Sequence, residues 1–337
     1  MEKLNIPVID LHNDLLSYLS EKPGRSPEDL ISRSSYSQMS QGGVRLQTLA
    51  IFTVTGSKST LQGQAQVNEY VKLLRNYPTF FAPYNSPLNF HSPQINILPA
   101  IENASSFASE SEPFAESLSC LEGYIKQIGP PLYISLTWNH ENRFGGGNLS
   151  STGLKEDGKR LLEWMHGKKI AIDMSHTSDK LAYDILDFTL QQGFDIPVIA
   201  SHSNFRAISA ELRNLPDEIA KEIIRRKGLI GLNFFAPFIH KTDPSVIVRH
   251  VEYALALGAK NNLCFGADFF CENDFPDLQE KYQRKVGFYP ELGNSSVYQN
   301  VLRLFEEKLG LKEELVHKIA HKNALEFLAM AEKPRNA

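Results

Sequence analysis

The chain has 337 residues, 42% hydrophobic and 22% charged, with 21 glycines, 18 prolines and a formal charge of −4. That composition belongs to a globular, enzyme-sized fold with a large core. With no basic run longer than three residues, it excludes nucleic acid and anionic membrane as natural partners, and no apolar stretch approaches the roughly 20 residues needed to span a bilayer.

In chain order, eight runs read as strands: Pro7–His12, Val44–Val54, Ile95–Ile101, Leu132–Thr137, Lys169–Met174, Pro197–Ala200, Leu229–Asn233 and Leu263–Ala267. Most are short and almost continuously apolar, the pattern of parallel strands covered on both faces. Helical patterns fill most of the intervals. Ser26-Pro27-Glu28-Asp29 carries a cap, a first-turn proline and acids facing the helix dipole, and so predicts a helix start. Leu154–Met165 has one apolar face and stops at Gly167; Ser178 caps the next helix, whose stripe is Leu181, Ala182, Ile185 and Leu186. Pro216-Asp217-Glu218 opens another, Ser245–Leu257 fits the one after it, and Val297–Leu309 and Lys312–Leu328 close the chain.

Eightfold alternation of strand and helix predicts an α/β fold, a TIM-like (β/α)8 barrel occupying residues 1–337 as one domain. An open doubly wound sheet is the alternative, weakened because no Gly-x-Gly-x-x-Gly follows any strand. A long loop follows the eighth strand at about residues 270–295, with Asp274–Ser295 its most loop-like part, placed to act as a lid. The three cysteines, Cys120, Cys264 and Cys271, are odd in number and contain no Cys-x-x-Cys pair, so neither a disulfide framework nor a thiolate zinc site is indicated. No apolar signal core precedes the first strand and the tail AEKPRNA is short and polar, so a reducing, cytoplasmic setting is expected.

Ionisable groups gather where the strands end. Strand one ends Ile9-Asp10-Leu11-His12-Asn13-Asp14, strand three ends in Glu102, strand five in Asp173-Met174-Ser175-His176, strand six in Ser201-His202, and strand eight in Asp268. Each has a bland reading alone: His12 and Asp14 as a solvated turn or cap, Glu102 as a loop acid, His176 and His202 as hydrogen-bonded packing residues, Asp268 as a cap. Barrel sites are built at the C-terminal strand ends, so together these groups would converge on one mouth. Imidazole nitrogens and carboxylate oxygens suit zinc, although other divalent ions take the same ligands. His12 and Asp14 can chelate one ion, and a bridging Glu102 suffices for two; a hydroxide shared by two ions is a nucleophile at neutral pH, with Asp268 the candidate to manage its proton.

The motifs VIDLHND, GGVRLQTLAIFT, PAIEN, YISLTWN, GLKEDGKRLLEWM, IDMSHTS, PVIASHSNFRAI, RNLPDE, GLIGLNFF and GADF, in that order, resemble the membrane (renal) dipeptidase family of zinc metallopeptidases, in a bacterial-type member. The resemblance implies a barrel of the metal-dependent amidohydrolase type, two Zn2+ ions and dipeptide substrates. His12 and Asp14 then match the ligands of one ion, His176 and His202 those of the other, Glu102 the bridging carboxylate and Asp268 the proton-handling acid. Arg213 matches the arginine that holds the dipeptide's free carboxylate, a bidentate task suited to guanidinium. The family's substrate-contacting histidine is replaced by Trp138, in a TWN segment similar to a bacterial branch, with His140 two residues on as a further candidate for substrate contact. Family members often pair as homodimers, so a homodimer is compatible with the resemblance; no motif decides it. A different two-metal amidohydrolase, acting on another amide or a lactone, is the rival function, and a non-catalytic metal-binding relative is the next.

Overall fold

The computed structural model describes residues 6–275 and 287–332. Among the described residues nine parallel strands form one sheet: β1 (Val8–Asn13), β2 (Val44–Phe52), β3 (Phe81–Pro83), β4 (Ile95–Glu102), β5 (Tyr133–Ser135), β6 (Ala171–Asp173), β7 (Val198–Ile199), β8 (Ile230–Leu232) and β9 (Leu263–Phe265). Their order is β7-β6-β5-β4-β2-β1-β9-β8, with β3 pairing only with β4 outside the path. A parallel bridge between Ala200 and Ile230 brings β7 to β8. The result is a nearly closed barrel of eight parallel strands, each lying within or overlapping a run predicted from sequence.

Two apolar layers hold it. Ile9, Leu11, Leu46, Ala100, Tyr133, Ala171, Ile199, Leu229 and Cys264 form an inner cluster joined by Phe327 and Leu328 of the last helix. That helix closes the N-terminal end of the barrel: Asn323 donates to the Leu263 carbonyl, and His321 Nδ1 lies 3.0 Å from the Pro7 carbonyl. The larger cluster packs helices against the outer sheet surface. With its N-terminal end plugged, the barrel leaves its C-terminal end for polar groups.

Several helices start as predicted. Ser178 Oγ accepts from Leu181 N–H and caps Asp179–Gln191, and Asp217–Arg225 follows Pro216. The Ser26 start differs: Asp29 Oδ2 accepts from Ser26 N–H and from the Tyr18 hydroxyl, closing a turn that continues only as a 3-10 helix, Leu30–Ser32. The final predicted helix is interrupted by a π-helical stretch, Lys318–Lys322. Of the long loop after the eighth strand, residues 276–286 lie outside the described ones; Pro290–Leu292 and Ser295–Val297 are short 3-10 helices. No helix among the described residues is long and apolar enough to cross a membrane.

Candidate metal centre

Several candidate groups reach the barrel mouth through a local backbone device. The β1–β2 register slips between Asp10 and Asn13, the kind of bulge that re-aims side chains at a barrel rim. Asp14 directly precedes the helix Leu15–Glu21 yet makes no side-chain cap; its Oδ2 lies 3.8 Å from His12 Nε2 instead. His176 and Asp268 have φ of 64°, a left-handed conformation costly for residues with a Cβ and concentrated at functional sites. Gly231 and Gly266 let β8 and β9 pass the Ser201 carbonyl, where a Cβ would lie 2.0 and 1.9 Å from its oxygen.

The six predicted ligands and acids converge. Glu102 Oε2 lies 3.2 Å from His12 Nε2, while its other oxygen lies 2.9 Å from His176 Nε2 and 3.5 Å from His202 Nε2. Asp268 Oδ1 is 3.5 Å from His12 Nε2. Ligand atoms of His12, Glu102 and His202 lie within 4.8 Å of one another, as do those of His12, Asp14 and Asp268. All are buried, Glu102 to 2% exposure, which removes the loop-acid reading of that residue.

Outer partners fix which ring nitrogen faces inward. The Tyr133 hydroxyl donates to the Leu11 carbonyl, so it accepts from His12 Nδ1–H at 2.6 Å. Ser201 Oγ donates to Asp173 and accepts from His202 Nδ1–H, also at 2.6 Å. Asn139 Oδ1 accepts from His176 Nδ1–H at 3.0 Å. Three Nε2 lone pairs therefore point into the cluster, the arrangement in which histidine ligates metals. Yet His176 Nε2 and His202 Nε2 are only 3.0 Å apart, and His12 Nε2 and Asp14 Oδ1 have no hydrogen-bond partner. A proton between the two imidazoles would break an outer bond; a cation satisfies every atom at once. The donor set fits divalent metal.

Charge agrees. Burial and Arg213 push His176 down to about 3, against Glu102, and burial, His12 and Arg213 hold His202 well below its ordinary value. Both rings are neutral and ready to ligate. Burial would lower His12 too, but Tyr133, Glu102 and Asp14 hold it well above the usual range. Burial is opposed at Glu102 by the charge of His12 and by the close approach of the His12, His176 and His202 rings, leaving its carboxyl well below the usual value. The pocket thus calls for positive charge beside these carboxylates. Burial, opposed by His12 and Arg213 and reinforced by Asp14 and Glu102, pushes Asp268 up to about 7.

The three predicted substrate contacts fare differently. Trp138 lines the cleft over the cluster, its ring 6.0 Å from that of His176. Arg213 is 5% exposed and donates to Ser203 Oγ at 2.6 Å and to the His202 carbonyl at 3.0 Å. His140 is exposed and is not among the residues lining the cleft; Asn139 is. The loop turns His140 outward because Leu149 N–H and Gly147 N–H bond back to the Asn139 and His140 carbonyls.

Sequence reading missed the supports. Asn233 Nδ2 donates to Asp268 Oδ2 at 2.9 Å and to the His202 carbonyl. Asp10 and Asp173, both fully buried, gather donors from neighbouring strand ends. A polar residue inside an apolar run was the available signal for both.

A family model described as membrane dipeptidase, peptidase family M19, matches residues 3–337. The chain is 34% identical over 146 residues to an uncharacterized protein in the PQQ-III 3′ region of Acinetobacter calcoaceticus, covering 39% of this chain and 43% of that one. It is 24% identical over 328 residues to an uncharacterized dipeptidase of Schizosaccharomyces pombe, covering 86% and 74%. It spans about half the length of the first curated relatives it matches, 43% and 55%. A metallopeptidase structure from Rhodobacter sphaeroides, liganded with a phosphinate mimic of the dipeptide L-Ala-D-Ala, shares the fold with a TM-score of 0.80 at 20% identity, covering 96% of this chain and 99% of that one.

Proposed function

The chain belongs to the membrane dipeptidase family, peptidase family M19, and from that premise we propose that it is a metal-dependent dipeptidase holding two zinc ions. The convergence of three inward-facing imidazoles with Asp14, Glu102 and Asp268 carries the reading. His12 and Asp14 would hold one ion and His176 and His202 the other. Glu102, with an oxygen toward each group of histidines, would be shared. When bound, such ions polarise a carbonyl oxygen and bring the pKa of water toward neutrality.

The remaining tasks fall to the chain itself. Asp268, oriented by Asn233, would take a proton from the attacking water and deliver it to the departing amine. Arg213, held by Ser203 and the His202 carbonyl, would receive the free carboxylate of the dipeptide. Trp138 and Asn139 would border the substrate on the β5 side.

The test is hydrolysis by zinc-reconstituted protein of L,L and L,D dipeptides beside their C-terminally amidated counterparts. Chelator-sensitive cleavage confined to the free acids is expected. Cleavage that ignores amidation would remove Arg213 from the site. Protein that holds two metals and cleaves none of them would move the substrate to another amide or a lactone.

A further inference from the structure

Beyond the ionisable cluster, the cleft is walled by aromatic rings: Phe52, Trp138, Phe235, Phe238, Phe270 and Phe275. They come from distant parts of the chain and pack against one another in sequence. Trp138 meets Phe52 at 5.2 Å between centroids, Phe52 meets Phe275 at 5.9 Å, and Phe275 meets Phe270 at 5.3 Å. Phe270 meets Phe235 at 5.4 Å, and Phe235 meets Phe238 at 5.0 Å. The ends of the series return to the cluster: Trp138 lies 6.0 Å from His176, and the Arg213 guanidinium carbon lies 5.6 Å over Phe238. The rings form a collar around the mouth.

Among the described residues lining the cleft, the ionisable ones are Asp14, Glu102, His176 and Asp268, all in the metal cluster. A charged substrate side chain would therefore lose water against ring faces with no spare counter-charge among the described lining residues. A cationic one could use those faces, but it would lie beside a centre built to hold cations. A large apolar side chain releases water from both surfaces. The tilted and edge-to-face packing holds the rings in place before anything binds.

We infer that this aromatic collar makes dipeptides with a large apolar side chain, aromatic ones above all, the preferred substrates and disfavours charged ones. The inference rests on the dipeptidase reading and specifies its substrate class.

Two readouts separate the two claims. The first is kcat/KM of the zinc-loaded protein for Ala-Ala, Phe-Leu, Lys-Leu and Glu-Leu. The second is binding of non-hydrolysable phosphinate analogues of Ala-Ala and Phe-Leu, read by the fluorescence of Trp138 in a Trp164→Phe background, since the chain has only two tryptophans. Phe-Leu should exceed Ala-Ala by roughly tenfold or more in both readouts, the scale of burying one large apolar side chain, and Lys-Leu and Glu-Leu should fall below Phe-Leu by more. Phe270→Ala should collapse the Phe-Leu to Ala-Ala ratio, and the milder Phe270→Leu should restore part of it. Equal cleavage across the panel, or faster cleavage of a charged member, overturns the inference and leaves the dipeptidase standing. Tight, selective binding of the Phe-Leu analogue without cleavage of any dipeptide keeps the collar's preference and removes the dipeptidase. Neither cleavage nor selective binding removes both.

Discussion

The two halves of the metal centre rest on buried aspartates that do the same job by different chemistry. Under the β1–β9 half, Asp10 Oδ1 accepts from His12 N–H at 2.8 Å and Gln47 Nε2 at 2.9 Å. Its Oδ2 accepts from Ala267 N–H at 3.0 Å and from the Tyr298 hydroxyl. Under the β6–β7 half, Asp173 Oδ1 accepts from Ser175 N–H at 3.1 Å and Ser201 N–H at 2.8 Å. Its Oδ2 takes two hydroxyls, Ser135 and Ser201, each at 2.7 Å. Burial pushes both carboxyls up, and these donors pull them back. N–H donors cannot reverse direction, whereas hydroxyls can. Asp10 therefore meets an irreversible donor at each oxygen, and Asp173 at only one. Moreover, the Ser201 hydroxyl that Asp173 accepts is the group that fixes the His202 tautomer, while His12 is fixed through Tyr133 and a backbone carbonyl. One half is braced for backbone position; in the other the brace also sets the ligand's proton.

Glu102 is the residue the halves share, so changing it should produce the largest effect. Glu102→Gln should lower bound metal on both sides and cut dipeptide turnover by roughly a thousandfold, beyond the 10–100-fold typical of a ligand's supports. Metal analysis of the purified variant beside its activity checks this. Full metal content with near-normal turnover would mean that the halves are not joined through Glu102.

The aspartates should then separate. Asp10→Asn forces an amide N–H against either Ala267 N–H or the donors from His12 and Gln47, and should cost about 3 kcal/mol of stability in urea unfolding, the scale of leaving buried donors unmatched. Asp173→Asn can turn its amide toward the two serine hydroxyls and should cost only about 1 kcal/mol. Its penalty appears in the metal instead. With Ser201 now accepting from the amide, its hydroxyl donates to His202 Nδ1 and the ring is left protonated at Nε2. Zinc affinity should fall roughly 10–100-fold. Ser201→Ala should reproduce part of that loss, and Asp10→Asn should not. Equal stability losses with unchanged metal binding in Asp173→Asn would erase the distinction between the halves.

The ligands were legible because each ends an apolar run, and the end of a parallel barrel strand is where polar side chains meet. Asp14 shows the limit of local reading: beside a helix start it has the sequence of a cap, and only its approach to His12 separates ligand from cap. Asp10 and Asp173 are visible as acids within strands, but their partners lie as far away as Tyr298, 288 residues along the chain. His140 was singled out by residue type, and Asn139 took the place beside His176 because the following loop folds back on the Asn139 carbonyl. The collar was not legible, since Phe52, Trp138, Phe235 and Phe270 are assembled only when the barrel closes. The Ser26 segment had correct capping residues but too little following apolar periodicity to propagate a helix.

A smaller effect distinguishes the halves in acid. The segment after β7 is anchored by His250, whose Nδ1 accepts from Phe205 N–H at 3.3 Å, while its Nε2–H donates to the Ile239 carbonyl at 3.1 Å. Burial, with Arg249 and His240 adding to it and the Ile239 carbonyl opposing, lowers His250 to about 4. Its pKa is depressed in the folded state, so its contribution to stability is present above about pH 6.5, the unfolded value, and is lost as pH falls toward 4. At pH 5.5 the loss should be about 1 kcal/mol. Protonation puts a hydrogen on Nδ1 facing Phe205 N–H, three residues from His202, so the β7 side should loosen while Asp10 and its donors stay in place. Hydrogen exchange at Phe205 compared with His12 between pH 7 and 5 reads this directly, with His250→Asn as the control that should lose the pH dependence. Protection falling equally at both amides would show that acid acts on the barrel as a whole, and the two halves would then differ in metal chemistry but not in mechanical coupling.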